Sequence, residues 1–271
     1  MDAPKVSWGT VRRYGKAPFR IVLVHGGPGD LGSMAPVARE LARTVGVVEP
    51  WQTARTVAGQ VEELSCQIDA RATTPVTLIG HSWGAWLTLL FGARFPEKTR
   101  RLILVGSGPL SARYAAEIRR RRKARLSPAQ GKEFEDLLRR LVAGSSRAAP
   151  AIFHRLGELE DAADSYELVP GRPRGGRADV TALRSVWPEA EEMRRSGRLL
   201  REIRRVKAPI TVVHGSFDPH PVEGVVNPLR KVGLPVRCIL LESCGHAPWR
   251  ERYARERFFD VLRAEVARDR P

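Results

Sequence analysis

The five residues Gly80-His81-Ser82-Trp83-Gly84 constrain this chain more than any other feature. They follow the apolar run Val76–Ile79 and precede a helix-forming run with Ala85, Leu87, Leu89, Leu90 and Phe91. In that setting the pattern G-x-S-x-G is a sharp strand-to-helix turn. Glycine is needed on both sides because strand and helix approach each other too closely for a Cβ. Ser82 is predicted at the exposed tip, above a helix N-terminus. That is where a hydroxyl can become a nucleophile. The pentapeptide alone is a weak signal, so its surroundings must carry the reading.

A serine hydroxyl attacks poorly unless a base takes its proton and an acid fixes the tautomer of that base. The order expected after such an elbow is Ser, then Asp or Glu, then His. The run Ile210-Thr211-Val212-Val213-His214 reads as a buried strand and breaks at Gly215-Ser216-Phe217-Asp218-Pro219. Asp218 thus lies just past a strand end, where ligands gather in parallel sheets. Val236–Leu241 reads as the next strand and breaks at Glu242-Ser243-Cys244-Gly245-His246, just before a long amphipathic stretch. Ser82, Asp218 and His246 are therefore the candidate triad, with Glu223 and Glu242 as fallback acids. Arg20–Val24 is a further strand run and ends in His25-Gly26-Gly27-Pro28-Gly29. The backbone N–H groups of Gly27 and Trp83 are the candidate oxyanion donors, each worth several kcal/mol of barrier in such sites.

Every one of these residues has a plain structural alternative. Ser82 could merely start a helix, Asp218 cap a turn, and His246 pack in a loop. His25 and His214 end strands and read as structural. The side chain of His81 is expected to point away from the pocket, and His154 and His220 have no assigned role. Nucleotide binding is not indicated, because neither GxGxxG nor GxxxxGK[ST] is present.

Taken together, these motifs resemble the α/β-hydrolase superfamily over roughly residues 5–108 and 195–271. The loop His25-Gly26-Gly27-Pro28-Gly29 and the elbow Ser82-Trp83-Gly84 are similar to those of the prolyl aminopeptidase (proline iminopeptidase) group. The chain departs from that group in having Gly80-His81-Ser82 where Gly-Gly-Ser is more usual, and in its short middle segment. The resemblance implies a mostly parallel sheet flanked by helices. Residues 1–108 and 187–271 would form the core, and residues 109–186 a helical cap inserted after the strand at 101–105.

The periodicity agrees with that division. Apolar runs alternate with helical spacing through the core, the pattern of an α/β sheet covered on both faces. An N-terminal strand or short hairpin is predicted within Val6–Tyr14, then strand Arg20–Val24, helix Ser33–Arg43, strand Val45–Val48 and helix Val57–Ala70. The elbow helix 83–95 and strand Arg101–Val105 follow. A helix over Val222–Val232 should be broken by Pro228, and one helix is predicted over Pro248–Arg268. Between them lie helices Arg113–Leu126, Pro128–Ala143 and Ala149–Ala163, then a loop rich in Pro, Gly and Arg over Tyr166–Arg177. A cap of this kind roofs a nucleophile, excludes water and selects substrate.

Composition narrows the rest. The formal net charge is +16 over 271 residues. The cluster Arg119-Arg120-Arg121-Arg122-Lys123-Ala124-Arg125 reads as a solvated basic helix face. No nucleic-acid motif accompanies it, so no nucleic-acid partner is expected despite the charge. The acidic cluster Glu158, Glu160, Asp161, Asp164 and Glu167 reads as a helix face paired with arginines, or as a site for a substrate ammonium. Trp51, Phe217 and Glu158 are the candidate pocket residues. Cys66, Cys238 and Cys244 have no metal-binding spacing and are too few for a disulfide framework. There is no apolar run of about 18 residues and no N-terminal signal region, so a cytoplasmic protein with no membrane partner is expected. No metal or organic cofactor is implied.

The expected function is a serine hydrolase of a small-molecule ester or amide, working through an acyl-enzyme. An aminopeptidase releasing N-terminal proline from a short peptide stands beside it. A non-catalytic binding or scaffold protein on a hydrolase frame is the alternative of another class.

Overall fold

A computed structural model of the protein describes residues 9–143, 149–171 and 176–268. Its centre is a seven-stranded sheet. The strands are β1 (Val11–Tyr14), β2 (Phe19–Val24), β4 (Gly46–Pro50), β5 (Val76–His81), β6 (Thr99–Val105), β8 (Ile210–Gly215) and β9 (Val236–Leu241), in the spatial order β1-β4-β2-β5-β6-β8-β9. Only β1 runs antiparallel to its neighbour; the other pairings are parallel. A separate two-stranded ribbon pairs β3 (Asp30–Leu31) with β7 (Arg177–Ala178). Part of the N-terminal stretch expected to be a strand, residues 6–8, lies outside the described residues, as do residues 172–175 of the expected loop.

Successive strand side chains point to opposite faces, and both faces are apolar. Val22, Val24, Val48, Leu78, Leu102, Leu104 and Val212 pack beneath α2 (Val57–Arg71), α3 (Trp83–Arg94), α7 (Val180–Arg195), α8 (Arg198–Ile203) and α9 (Glu223–Lys231). Ile21, Leu23, Val47, Ile79, Ile103, Val105 and Val213 pack on α1 (Ala35–Leu41) and α10 (Arg255–Ala267). This two-sided burial is why the central strands read as unbroken apolar runs rather than alternating ones. Between β6 and β7 lie α4 (Ala115–Arg125), α5 (Pro128–Ala143) and α6 (Ala149–Asp164). The last two form their own small core around Leu137, Leu141, Ile152, Leu156 and Leu159.

Two helices differ from expectation. Pro228 does not break α9 but lies inside it. A proline cannot bond the carbonyl four residues back, and here the carbonyl of Gly224 accepts the N–H of Leu110 instead, at 2.9 Å. The stretch Pro248–Arg268 is not one helix. A short 3₁₀ turn at Pro248–Arg250 is followed by extended backbone at Glu251, and α10 starts only at Arg255. Glu251 pairs with Leu168 across the gap and turns its side chain inward, which takes it out of any helix.

Candidate active site

Ser82 sits between β5, the middle strand of the sheet, and α3. Serine at a helix start ordinarily caps it through its hydroxyl. Ser82 makes no such bond, because its backbone is held at φ 53° and ψ −114°. A positive φ in a non-glycine residue is strained. The flanking glycines are forced by contact. A Cβ on Gly80 would lie 2.2 Å from the Gly84 carbonyl oxygen, and one on Gly84 2.4 Å from that of Val24. The glycine-rich loop abuts the elbow, since a Cβ on Gly26 would stand 3.5 Å from Cβ of Ser82.

That loop is fixed from behind by His25, which is fully buried. Its Nδ1–H donates to the Gly26 carbonyl at 2.9 Å, and its Nε2 accepts the N–H of Gln52 at 3.2 Å. One nitrogen donates and the other accepts, so the ring is neutral. Burial pushes its pKa down to about 4. A buried polar ladder on α2 continues the support. Gln52 donates to Gln67, Gln67 to the Trp51 carbonyl, and the indole of Trp83 to Gln60. Gly27, at φ 38°, needs its freedom from a side chain here.

The structure brings Asp218 and His246 together from the loops after β8 and β9. Nδ1–H of His246 donates to Oδ2 of Asp218 at 2.8 Å. That fixes the tautomer and leaves Nε2 with its lone pair. Burial alone would raise the Asp218 pKa, but His246, His220 and His214 around it hold it well below the usual carboxylate range. Burial would lower the His246 pKa. The Asp218 charge and hydrogen bond outweigh this and raise it. Val105 and Gly106 link the pair to the serine. The Ser82 N–H donates to the Val105 carbonyl at 3.0 Å, and Gly106 packs directly under His246 and Asp218.

Sequence reasoning missed three things here. First, His220 bonds the other oxygen of Asp218, Nδ1 to Oδ1 at 2.7 Å, and its ring stacks on His246 with centroids 4.3 Å apart. The available signal was a histidine two residues past the acid, between Pro219 and Pro221. Second, α4 is not a wholly solvated basic face. Arg122 turns inward to grip Asp164 through two bonds of 2.8 and 2.5 Å. Arg121 reaches the Asp218 carbonyl at 3.3 Å, and the Arg125 guanidinium lies 3.7 Å above the Phe217 ring. Third, the buried carboxylate of Glu251 accepts the N–H groups of Gly245, Tyr166 and Glu167 at 2.9, 3.0 and 2.8 Å.

The other candidates are spread out. His81 packs against His246 and Trp249, both at 4.7 Å between ring centroids, and its Nε2 meets the His246 carbonyl at 3.0 Å. It therefore lies under the histidine loop. Phe217 precedes Asp218 in the loop after β8 and meets Tyr166 edge-on at 5.4 Å. Trp51 is buried beneath the Arg12 guanidinium and against Gly32. Glu158 faces solvent at half exposure and pairs with Arg155 and His154. It is a surface ion-pair residue because its helix turns that side outward. The fallback acids are displaced as well: Glu223 begins α9 and Glu242 is exposed. Two open clefts of about 390 and 500 Å³ occur elsewhere, and neither is lined by Ser82, Asp218 or His246.

Asp218, His220 and His246 have donor atoms within 4.8 Å of one another, a grouping that could attract a metal ion. Both carboxylate oxygens are already engaged by imidazole N–H groups at 2.7 and 2.8 Å. The cluster is satisfied by its own protons. Among the described residues, no helix is long and apolar enough to cross a membrane.

Comparison with known proteins agrees with this architecture. A 2-hydroxy-6-oxo-2,4-heptadienoate hydrolase from Pseudomonas putida is 37% identical over 101 residues, which is 32% of this chain and 37% of that protein's length. Among solved structures, VinJ superposes with a TM-score of 0.63 at 19% identity, covering 95% of this chain and 94% of its own. A thermophilic esterase from Thermogutta terrifontis gives 0.63 at 19% identity, covering 96% and 93%. The enol-lactonase from Burkholderia xenovorans gives 0.61 at 16% identity, covering 95% and 96%. At those identities the likeness is one of fold. The sequence profile of the alpha/beta hydrolase family matches residues 21–261, and the chain belongs to that family.

Proposed function

We propose that the protein is a serine hydrolase of a small-molecule ester or amide. Ser82 attacks the carbonyl carbon while Nε2 of His246 takes its proton. The tetrahedral oxyanion is received by the N–H groups of Gly27 and Trp83. His246 then returns the proton to the leaving group, and water resolves the acyl-enzyme by the same steps in reverse order of roles. Asp218 holds the imidazole in its Nδ1–H tautomer and stabilises the imidazolium. The observation that carries this reading is a strained serine whose hydroxyl does not cap its own helix, together with a histidine hydrogen-bonded to a buried aspartate. Residues 109–186 act as a helical cap over the site. The inward arginines of α4 and the loop-facing end of α6 support that role.

The narrower resemblance to prolyl aminopeptidases is less well supported. The carboxylates that would receive a substrate ammonium are engaged by arginines: Asp161 by Arg250, Asp164 by Arg122, and Glu167 by Arg252. The test is labelling with a fluorophosphonate probe, with Ser82→Ala alongside, followed by p-nitrophenyl acyl esters and a prolyl anilide. Labelling that depends on Ser82, with ester turnover, is the expected result. A folded, unlabelled protein would favour the binding or scaffold reading, and turnover of the anilide alone the aminopeptidase.

A further inference from the structure

Asp218 serves two imidazoles at once. His246 takes Oδ2 and His220 takes Oδ1, each through Nδ1–H. The rings are stacked at an interplanar angle of 25°, and both Nδ1 atoms point at the same carboxylate. The two side chains are similarly exposed, 11% for His220 and 14% for His246. The His220 backbone is immobilised as well. Its N–H donates to Oδ1 of Asp218 at 2.9 Å, its carbonyl accepts Nε2–H of His214 at 2.7 Å, and prolines stand on both sides. A merely packed histidine needs none of this.

We propose that His220 is a positioning residue of the hydrolytic site: it holds the Asp218 carboxylate by Oδ1, keeps Oδ2 aligned on His246, and moderates how strongly that carboxylate draws a proton onto His246. This rests on Ser82, His246 and Asp218 acting as a triad. A carboxylate that accepts an extra N–H bond is a weaker partner for an imidazolium. His220 must stay neutral to serve, because two stacked imidazolium ions would repel each other. The surroundings enforce that. Burial and the neighbouring His246 lower its pKa, against the pull of Asp218. The charged groups facing this cluster are Asp218 from its own loop, Arg121, Arg122 and Arg125 from α4, and Glu160 and Asp164 from α6, with His214 on β8.

The test compares His220→Leu and His220→Asn by kcat, KM and the pH profile of ester hydrolysis, with fluorophosphonate labelling as the control. The Leu variant should lose about tenfold in kcat with KM changed by less than about twofold. Its acid limb should move up by roughly half a pH unit. The Asn variant, whose amide N–H can reach Oδ1, should recover most of both. A Leu variant with wild-type kcat and an unmoved limb would overturn the proposal, as would equal losses in both variants without a shift. Wild-type protein that fails to label at Ser82 would instead remove the triad, and the proposal with it, before any variant is consulted. If the Leu variant does not fold, ¹⁵N-histidine spectra of wild type decide, with His220→Asn giving the assignment. His220 should be a neutral Nδ1–H tautomer while His246 titrates. An Nε2–H or cationic His220 at neutral pH would overturn the proposal.

Discussion

The main-chain N–H of His246 donates to the carbonyl of Asp164 at 2.9 Å. Asp164 is the last residue of α6, and its carboxylate grips Arg122 on α4. The proposed base is therefore tied to the helical segment that follows β6, and not only to the sheet. Three further contacts reinforce the tie: Val169 to Arg250, Arg252 to Glu167, and the Glu251 carboxylate to both sides.

Replacing Ser82 should separate stability from activity. Ser82→Ala is expected to lose about a thousandfold or more in kcat while keeping the strained backbone. Ser82→Gly should lose activity equally and be more stable by about 1 kcal/mol, because glycine tolerates φ 53°. Denaturant unfolding of both variants checks this. A less stable Gly variant would show that the elbow is not strained.

Two histidines should give losses on acidification in different pH windows, one read in activity and one in stability. His246 has a raised pKa and must be neutral to accept the serine proton, so kcat/KM should fall as pH drops through a value above 6.5. His25 is held neutral by burial, with a pKa of about 4 in the folded state against 6.5 ordinarily. The unfolded chain binds that proton first. Stability is therefore full above pH 6.5 and is lost as pH falls toward 4, by on the order of 3 kcal/mol. His25→Asn should flatten that slope in urea titrations at pH 7 and pH 4.5.

Glu251→Ala should remove the carboxylate that accepts the N–H groups of Gly245, Tyr166 and Glu167 together. The expected loss is about 3 kcal/mol. Glu251→Gln keeps one acceptor oxygen but turns an NH₂ toward backbone N–H groups, so it should fall between. A fall in kcat alongside stability, from a looser His246 loop, is the second readout.

Arg122→Met leaves the Asp164 carboxylate buried without its bidentate partner. It should cost about 3 kcal/mol, and the double change Arg122→Met with Asp164→Asn should recover much of this. A double-mutant cycle by denaturation measures it. Strict additivity would mean that the pair is not coupled.

The sheet and the elbow were legible in the sequence because both are written in short-range patterns. Apolar runs of five or six residues mark strands buried on two faces, and the glycines of 80–84 record a close approach of neighbouring elements. His220 was missed although its partner Asp218 is only two residues away, because nothing local shows which way its ring turns; the other failures come from partners distant in the chain. The arginines at 121, 122 and 125 lie on one side of α4, but their partners arrive from α6 and the β8 loop, some 40 to 100 residues later. Glu251 lies within the stretch expected to be one helix, but its carboxylate is claimed by backbone N–H groups 84 and 85 residues upstream. Pro228 was judged by its own helix, whereas the carbonyl it leaves unbonded is satisfied by Leu110.

The contact between Gly84 and the carbonyls of Val24 and His25 divides the molecule into parts that can change and parts that cannot. The serine and the glycine-rich loop form one rigid block, and a side chain at position 84 would push them apart. A lineage of such chains is therefore freer to change in the helices after β6 than at this junction. It cannot place a side chain at position 84 without driving the serine and that loop apart.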